Sequence, residues 1–94
     1  MAEYEVQCVS VDYDSQYDDC RAIETLGFDA TDGGFTRKTP AEIHRLVAET
    51  DNTVYVVYHN ERSDLRAVTD GDRRYVRTEP TDSSEDPLLK QPSC

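Results

Sequence analysis

Between Thr53 and Thr78 the chain reads TVYVVYHN, ERSD, LRAVT, DGD and RRYVRT, short β-branched and aromatic runs broken by turn residues. Runs of this length, type and spacing predict sequential strands of an antiparallel sheet. In the first run Val54, Val56 and Tyr58 share one face, and Tyr55, Val57 and His59 share the other. Both faces are apolar, which places this strand at the centre of the sheet. Asn60 to Asp64 reads as a loop. Leu65–Thr69 and Arg73–Thr78 read as a hairpin turned by Asp70-Gly71. In the register that this turn sets, Val68 faces Arg73 and Leu65 faces Val76. Leu65, Ala67 and Val76 then point to one side. Arg66, Val68, Arg73, Tyr75 and Arg77 point to the other.

The residues before this stretch supply its covering. Tyr4 to Tyr13 predicts a first strand, in which Val6 and Cys8 keep one parity and Val9 and Val11 the other. A parity change of this kind marks a bulge or burial on both faces. Asp18 to Leu26 predicts a short helix, capped by Asp18 or Asp19, with Cys20, Ile23 and Leu26 three apart and Gly27 ending it. Asp32-Gly33-Gly34 is a turn signal inside a small hairpin, with Phe35 expected to anchor the hairpin to the core. Thr39 to Glu49 predicts a helix. Thr39 is its N-cap, Pro40 suits the first helical position, Glu42 completes a capping box, and Ile43, Leu46 and Val47 form the apolar stripe.

A chain of 94 residues is one domain. The expectation is an α+β fold in the order β-α-(β)-α-β-β-β: an antiparallel sheet of about four strands with the helix 39–49 on one face. Residues 1–79 form the domain. Residues 80–94 form a polar, proline-punctuated tail that docks in part through Leu88 and Leu89.

Over residues 20–94 the pattern resembles the small domain-of-unknown-function family numbered 3892. The residues that carry the likeness are Leu26-Gly27, Gly33-Gly34, Thr39 to Val47, Tyr55 to Val57, Tyr75 to Thr78, and Asp86-Pro87-Leu88-Leu89-Lys90-Gln91-Pro92-Ser93-Cys94. The chain departs from that pattern at Pro87 and at Gln91, where a leucine is expected. The resemblance implies a compact α+β fold and supplies no activity or catalytic residues.

Charge bears on function more than motifs do. Twenty acids against ten bases leave a net charge of -10, and only Lys38 and Lys90 among the bases are lysine. A carboxylate-rich, lysine-poor surface suits molar salt, where screening removes the self-repulsion that loosens such a fold in dilute buffer. The charge is uneven. Five of the arginines, Arg62, Arg66, Arg73, Arg74 and Arg77, fall between residues 53 and 78, and the flanking segments are strongly acidic.

Motifs for chemistry are missing. Cys8, Cys20, Cys94, His44 and His59 lack the close pairs of a structural zinc site. Asp12, Asp14, Asp18 and Asp19 lack the glycine and terminal glutamate of a calcium loop. There is no GxSxG, HExxH or phosphate-cradling glycine loop. His59, Glu61 and Asp64 offer acid–base groups that a polar turn explains equally well. No enzyme activity and no cofactor are expected. An odd number of cysteines without CxxC suits reduced thiols, and no apolar run spans a membrane, so the expected location is cytoplasmic.

The expected function is therefore a non-catalytic binding or accessory protein adapted to high salt, a monomer or weak homo-oligomer acting through a protein partner. The candidate partner-binding residues are Arg66, Arg73, Tyr75 and Arg77 on one sheet face. The alternative is a nucleic-acid-binding module on that same face, with arginines on phosphates and tyrosine stacked on a base. A plainer account of these arginines is that they neutralise the chain's own acidic tail.

Overall fold

The computed structural model describes residues 2–29 and 34–94. The stretch from Thr53 onward contributes to two sheets. Thr53–Tyr58 (β4) and Glu61–Asp64 (β5) join Glu3–Val11 (β1), Ile23–Asp29 (β2) and Phe35–Lys38 (β3) in a five-stranded sheet of order β3-β2-β1-β4-β5. Arg66–Asp70 (β6) and Arg73–Arg77 (β7) form a separate two-stranded sheet. With the helix Pro40–Glu49 (α1) the domain is α+β, as expected. The sheet itself differs from the expected four antiparallel strands. It is mixed, because β1 and β4 run parallel with Glu3 opposite Thr53 and Glu5 opposite Tyr55. A parallel pair requires a crossover, and the β2–β3 hairpin with α1 provides it.

β1 carries the bulge that its parity implies. Val6 pairs with Phe28 and Cys8 pairs with Gly27, so Gln7 and Cys8 both point outward and Val9 returns to the core beside Leu26. A second shift between Ser10 and Val11 turns Ile23 inward opposite Val11.

The helix expected over 18–26 is absent. Cys20–Ala22 is one 3₁₀ turn, capped by the Asp19 side chain, which accepts from the Arg21 amide. From Ile23 onward the chain is strand. The spacing of Cys20, Ile23 and Leu26 that mimics a helix comes from a turn followed by a bulged strand. Gly27 lies inside that strand and ends no helix. The Asp32-Gly33 part of the expected turn lies outside the described residues, but its flanks pair as a hairpin, with Leu26 opposite Lys38 and Asp29 opposite Phe35. Phe35 is no core anchor, since its side chain is 52% exposed on the outer face.

α1 forms as its sequence dictates. Thr39 accepts from the Glu42 amide, and the Glu42 carboxylate accepts from the Thr39 amide. Ile43 is fully buried, with Leu46 and Val47 packed beside it. The helix packs chiefly on the β6–β7 hairpin, and less on β2 and β4. Burial of each fully buried apolar side chain, Ile43 and Leu26 among them, contributes about 2 kcal/mol.

β4 is interior to its sheet but buried on one face only. Val54 and Val56 are fully buried, whereas Val57 is 39% exposed. The expected loop after it is strand β5, reached through His59 and Asn60, both in the left-handed region at φ 52° and 65°. Two such residues make the tight primed turn that suits a hairpin. The β6–β7 turn is Gly71-Asp72, with Gly71 at φ +61° and Asp70 opposite Arg73. The register is therefore two residues away from the expected one: Val68 faces Tyr75 and Arg66 faces Arg77. A shift of two keeps every side chain on its expected face.

Residues 80–94 pack along the domain. Leu88, in the 3₁₀ turn Pro87–Lys90, is fully buried, and Leu89 is partly buried against the core. The Val9 amide donates to the Pro92 carbonyl at 2.9 Å, and the Cys94 amide donates to the Val9 carbonyl at 3.2 Å. Cys8 and Cys94 form a disulfide, and Cys20 is free and buried. This corrects the expectation of three reduced thiols: the bulge aims Cys8 outward, where the end of the tail meets it. Among the described residues, no helix is long and apolar enough to cross a membrane.

Candidate functional site

On the face that carries Arg66, Arg73, Tyr75 and Arg77, the chain itself covers Tyr75 and much of Arg77, while Arg66 and Arg73 are exposed. Tyr75 is 2% exposed, and its hydroxyl donates to Asp82 at 2.7 Å. Burial, followed by the neighbouring carboxylate of Asp82, pushes the Tyr75 phenol up to about 12. Arg77 donates to Asp82 at 2.6 Å and to the carbonyls of Glu79 and Pro80 at 3.0 and 2.9 Å. Burial alone would raise the Asp82 carboxyl, but hydrogen bonds from Tyr75 and Arg77 outweigh it and hold the group below its ordinary value.

Arg73 lies over the Tyr17 ring at 4.9 Å, on which Arg21 also stacks at 4.2 Å. Arg21 pairs with Asp19 at 2.6 Å and reaches Asp70 at 3.3 Å and Asp82 at 3.8 Å. Hydrogen bonding from Arg21 lowers the Asp19 carboxyl. The structure thus brings Tyr75 and Arg77 together on Asp82, sets Arg73 apart over Tyr17, and leaves Arg66 exposed. A base has no access to the Tyr75 ring. Of the three arginines on this face, Arg77 neutralises a tail carboxylate, Asp82, whereas Arg73 packs on Tyr17 and donates to the Arg21 carbonyl at 3.4 Å.

Asp86 explains much of the C-terminal pattern. It is fully buried and accepts from the Thr78 amide at 3.0 Å, the Thr78 hydroxyl at 2.7 Å, the Glu79 amide at 3.2 Å and the Leu88 amide at 2.9 Å. Four donors compensate the cost of burying a carboxylate. Asp86, Leu88, Pro92 and Cys94 therefore each bind the tail to the domain, and Tyr75, Val76, Arg77 and Thr78 form much of the surface that receives it. Burial is the main reason the Cys20 thiol is pushed far above its ordinary value, with Asp86 adding to it.

The opposite side of the five-stranded sheet is open. Strand parity puts Glu3, Glu5, Gln7, Asp29, Phe35, Arg37, Val57, Arg62 and Asp64 on this outer face, and all of them are exposed. Near its centre the Cys8–Cys94 disulfide and the tip of Phe35 crowd Gly27. A Cβ on Gly27 would lie 2.5 Å from Phe35 Cζ and 2.6 Å from Cys8 Sγ. Across the sheet lies Val57. Along one edge Arg62 stacks on Tyr55 at 4.1 Å and pairs with Glu3 and Asp64 at 2.8 and 2.9 Å. Gln7 donates to Asp29 at 2.8 Å. The result is a short apolar strip within a charged rim. Phe35 and Val57 have the character of core residues in the sequence, yet both lie on the surface. The exposed position of Val57 follows from parity once β4 is known to bury one face only.

A cleft of about 390 Å³ opens between residues 11–22 and the tail, lined by Val11, Tyr13, Tyr17, Asp18 and Leu89 among others. Among the described residues no group of three or more His, Cys, Asp or Glu side chains is placed to hold a metal ion. Asp12 uses its carboxylate to accept from the Asp14 amide, and Asp64 is engaged by Arg62. His59 stacks on Tyr58 at 4.0 Å in the left-handed turn. Compared with family models, with curated proteins and with solved structures, the chain matches none.

Proposed function

We propose that the chain is a small non-catalytic protein-interaction module, and that the open face of the five-stranded sheet is its docking surface. The observation that carries this reading is the exposure of Phe35 and Val57, at 52% and 39%, on either side of the outward-facing disulfide. Interfaces are built as an apolar centre inside a polar rim, with aromatic side chains dominating the binding energy. Here Glu3, Glu5, Asp29, Arg37, Arg62 and Asp64 supply the rim. An apolar contact also suits the proposed high-salt setting, because salt weakens charge-based association and strengthens apolar burial. Nucleic acid is disfavoured as the partner, since Tyr75 is buried and Arg77 is engaged by Asp82.

A cytoplasmic setting and membership of family 3892 belong to the same proposal. The first rests on the lack of a long apolar run. The second rests on the C-terminal residues from Asp86 to Cys94. The test is capture from native lysate at native salt, comparing the wild type with a Phe35→Ser/Val57→Ser variant. A protein retained by the wild type and lost by the variant is the expected result. Equal retention removes the sheet face as the docking surface. Material that disappears on nuclease treatment replaces the protein partner with a nucleic acid.

A further inference from the structure

We propose that the Cys8–Cys94 disulfide is a reducible clasp, which a dithiol reductant opens to release residues 92–94 from β1. The docking consequence rests on the sheet-face reading above; the conformational change stands without it.

The clasp sits at the only point where the last residues are held covalently. Upstream, the tail has strong anchors: Leu88 is fully buried, its amide donates to Asp86, and the Gln91 side chain donates to the Val57 and Pro87 carbonyls. Past Gln91 the character changes. Pro92, Ser93 and Cys94 are all exposed, so no apolar burial holds them. Two backbone hydrogen bonds to Val9 and the disulfide are what pair them with β1. Two backbone hydrogen bonds, worth about 1 kcal/mol each, do not outweigh the entropy of ordering three exposed residues. With the covalent bond broken, this segment frays and the rest of the tail stays.

The chemistry is accessible. Cys94 is an exposed residue, whereas Cys8 is only partly so, and the bond is therefore approached from the Cys94 side. One thiolate of the dithiol attacks Cys94 Sγ, and Cys8 leaves as a thiolate. The second thiol of the reductant, as thiolate, then displaces Cys94 and closes the reductant's own disulfide. The pair of electrons passes to the protein, and Cys8 and Cys94 take up the two protons that the dithiol gives up. Exchange does not pass to Cys20, which is buried. In a reducing compartment an accessible disulfide of this kind is a transient, responsive one rather than a permanent staple.

Release changes the docking face. The Val9 amide and carbonyl lose their partners, leaving an unpaired strand edge beside the Phe35–Val57 strip. An extended segment of the protein partner can pair with that edge as an added strand. The oxidised form fills the slot with the chain's own residues 92–94.

Amide hydrogen exchange by NMR, with and without excess dithiothreitol, tests the clasp on the intact chain. Expected is strong protection of the Val9 and Cys94 amides in the oxidised protein. On reduction that protection falls roughly tenfold or more, while the Thr78 and Leu88 amides keep theirs. A Cys94→Ser variant shows the low Val9 value in both conditions, and Cys8→Ser serves if that variant fails to fold. Unchanged Val9 protection on reduction overturns the proposal. So does joint loss at Thr78 and Leu88, which would make the bond a staple for the whole fold. Three free thiols in air-exposed protein overturn it as well. Equal capture by the Phe35→Ser/Val57→Ser variant sinks the docking face alone and leaves the exchange result standing.

Discussion

The Tyr75 hydroxyl donates to the Asp82 carboxylate across 2.7 Å, from a ring that is 2% exposed. That bond joins the hairpin to the tail and turns the most base-like side chain of the arginine face inward. Replacing Tyr75 with Phe removes a hydrogen bond to a charged acceptor and should lower unfolding stability by about 2 kcal/mol, read by urea titration. The pH dependence has two arms. Tyr75 is raised on folding, so its contribution is complete below the ordinary tyrosine value near 10 and disappears as pH climbs through about 12. Asp82 is lowered on folding, so its contribution is present above the ordinary aspartate value of 3.8 and is lost as pH falls through its lower folded value. The Tyr75→Phe variant should lack the alkaline arm. An unchanged alkaline arm would place the titration elsewhere.

Asp86 should be the least replaceable residue of the tail. Truncation to alanine leaves the Thr78 amide and hydroxyl and the Glu79 and Leu88 amides without their acceptor. A loss of about 3 kcal/mol or more is expected, a large share of the stability of a domain this small. Denaturant melts of Asp86→Ala beside Asp82→Ala give the comparison, and the half-exposed Asp82 should cost less.

Gly27→Ala tests close approach. No positive φ is involved; the added methyl meets Phe35 Cζ at 2.5 Å, Cys8 Sγ at 2.6 Å and Cys94 Sγ at 3.0 Å. The phenyl ring can swing away because it is exposed, but the two sulfurs are tied to each other. The oxidised protein should lose about 1–3 kcal/mol. The reduced protein should lose less, which paired thermal melts would show.

Salt should stabilise the fold. At a net charge of -10 the surface repels itself, and screening relieves this. The melting temperature is expected to rise steadily from dilute buffer to molar potassium chloride. A flat response would remove the high-salt reading of the composition.

What could be read ahead of the structure was whatever local chemistry decides. Thr39, Pro40 and Glu42 specify their helix start within four residues, and the bulge in β1 is written in the parity of Val6 and Val9. Side-chain faces in the β6–β7 hairpin were legible too, although Gly71, needed at the first turn position for its φ of +61°, shifts the register by two. Interactions between distant residues were not legible. The parallel pairing of β1 with β4 and the bond between Cys8 and Cys94 join segments with no local mark of each other. β5 was missed because an edge strand of Glu, Arg, Ser and Asp buries little and shows no apolar alternation. Arg66, Arg73, Tyr75 and Arg77 do share one side of the hairpin, and Asp82, five residues past Arg77, takes up Tyr75 and Arg77 there.

The pairing of β1 also sets a timetable. One edge of this strand is shared: Glu3 to Glu5 take β4, about half the chain away, and Val9 takes Ser93, next to a cysteine 86 residues from its own partner. As the chain leaves the ribosome, β1 therefore emerges long before either neighbour on that side exists. Only β2, with which it shares the opposite edge, can join it early. Closing contacts over such separations is slow, and an unpaired strand edge invites pairing with other chains meanwhile.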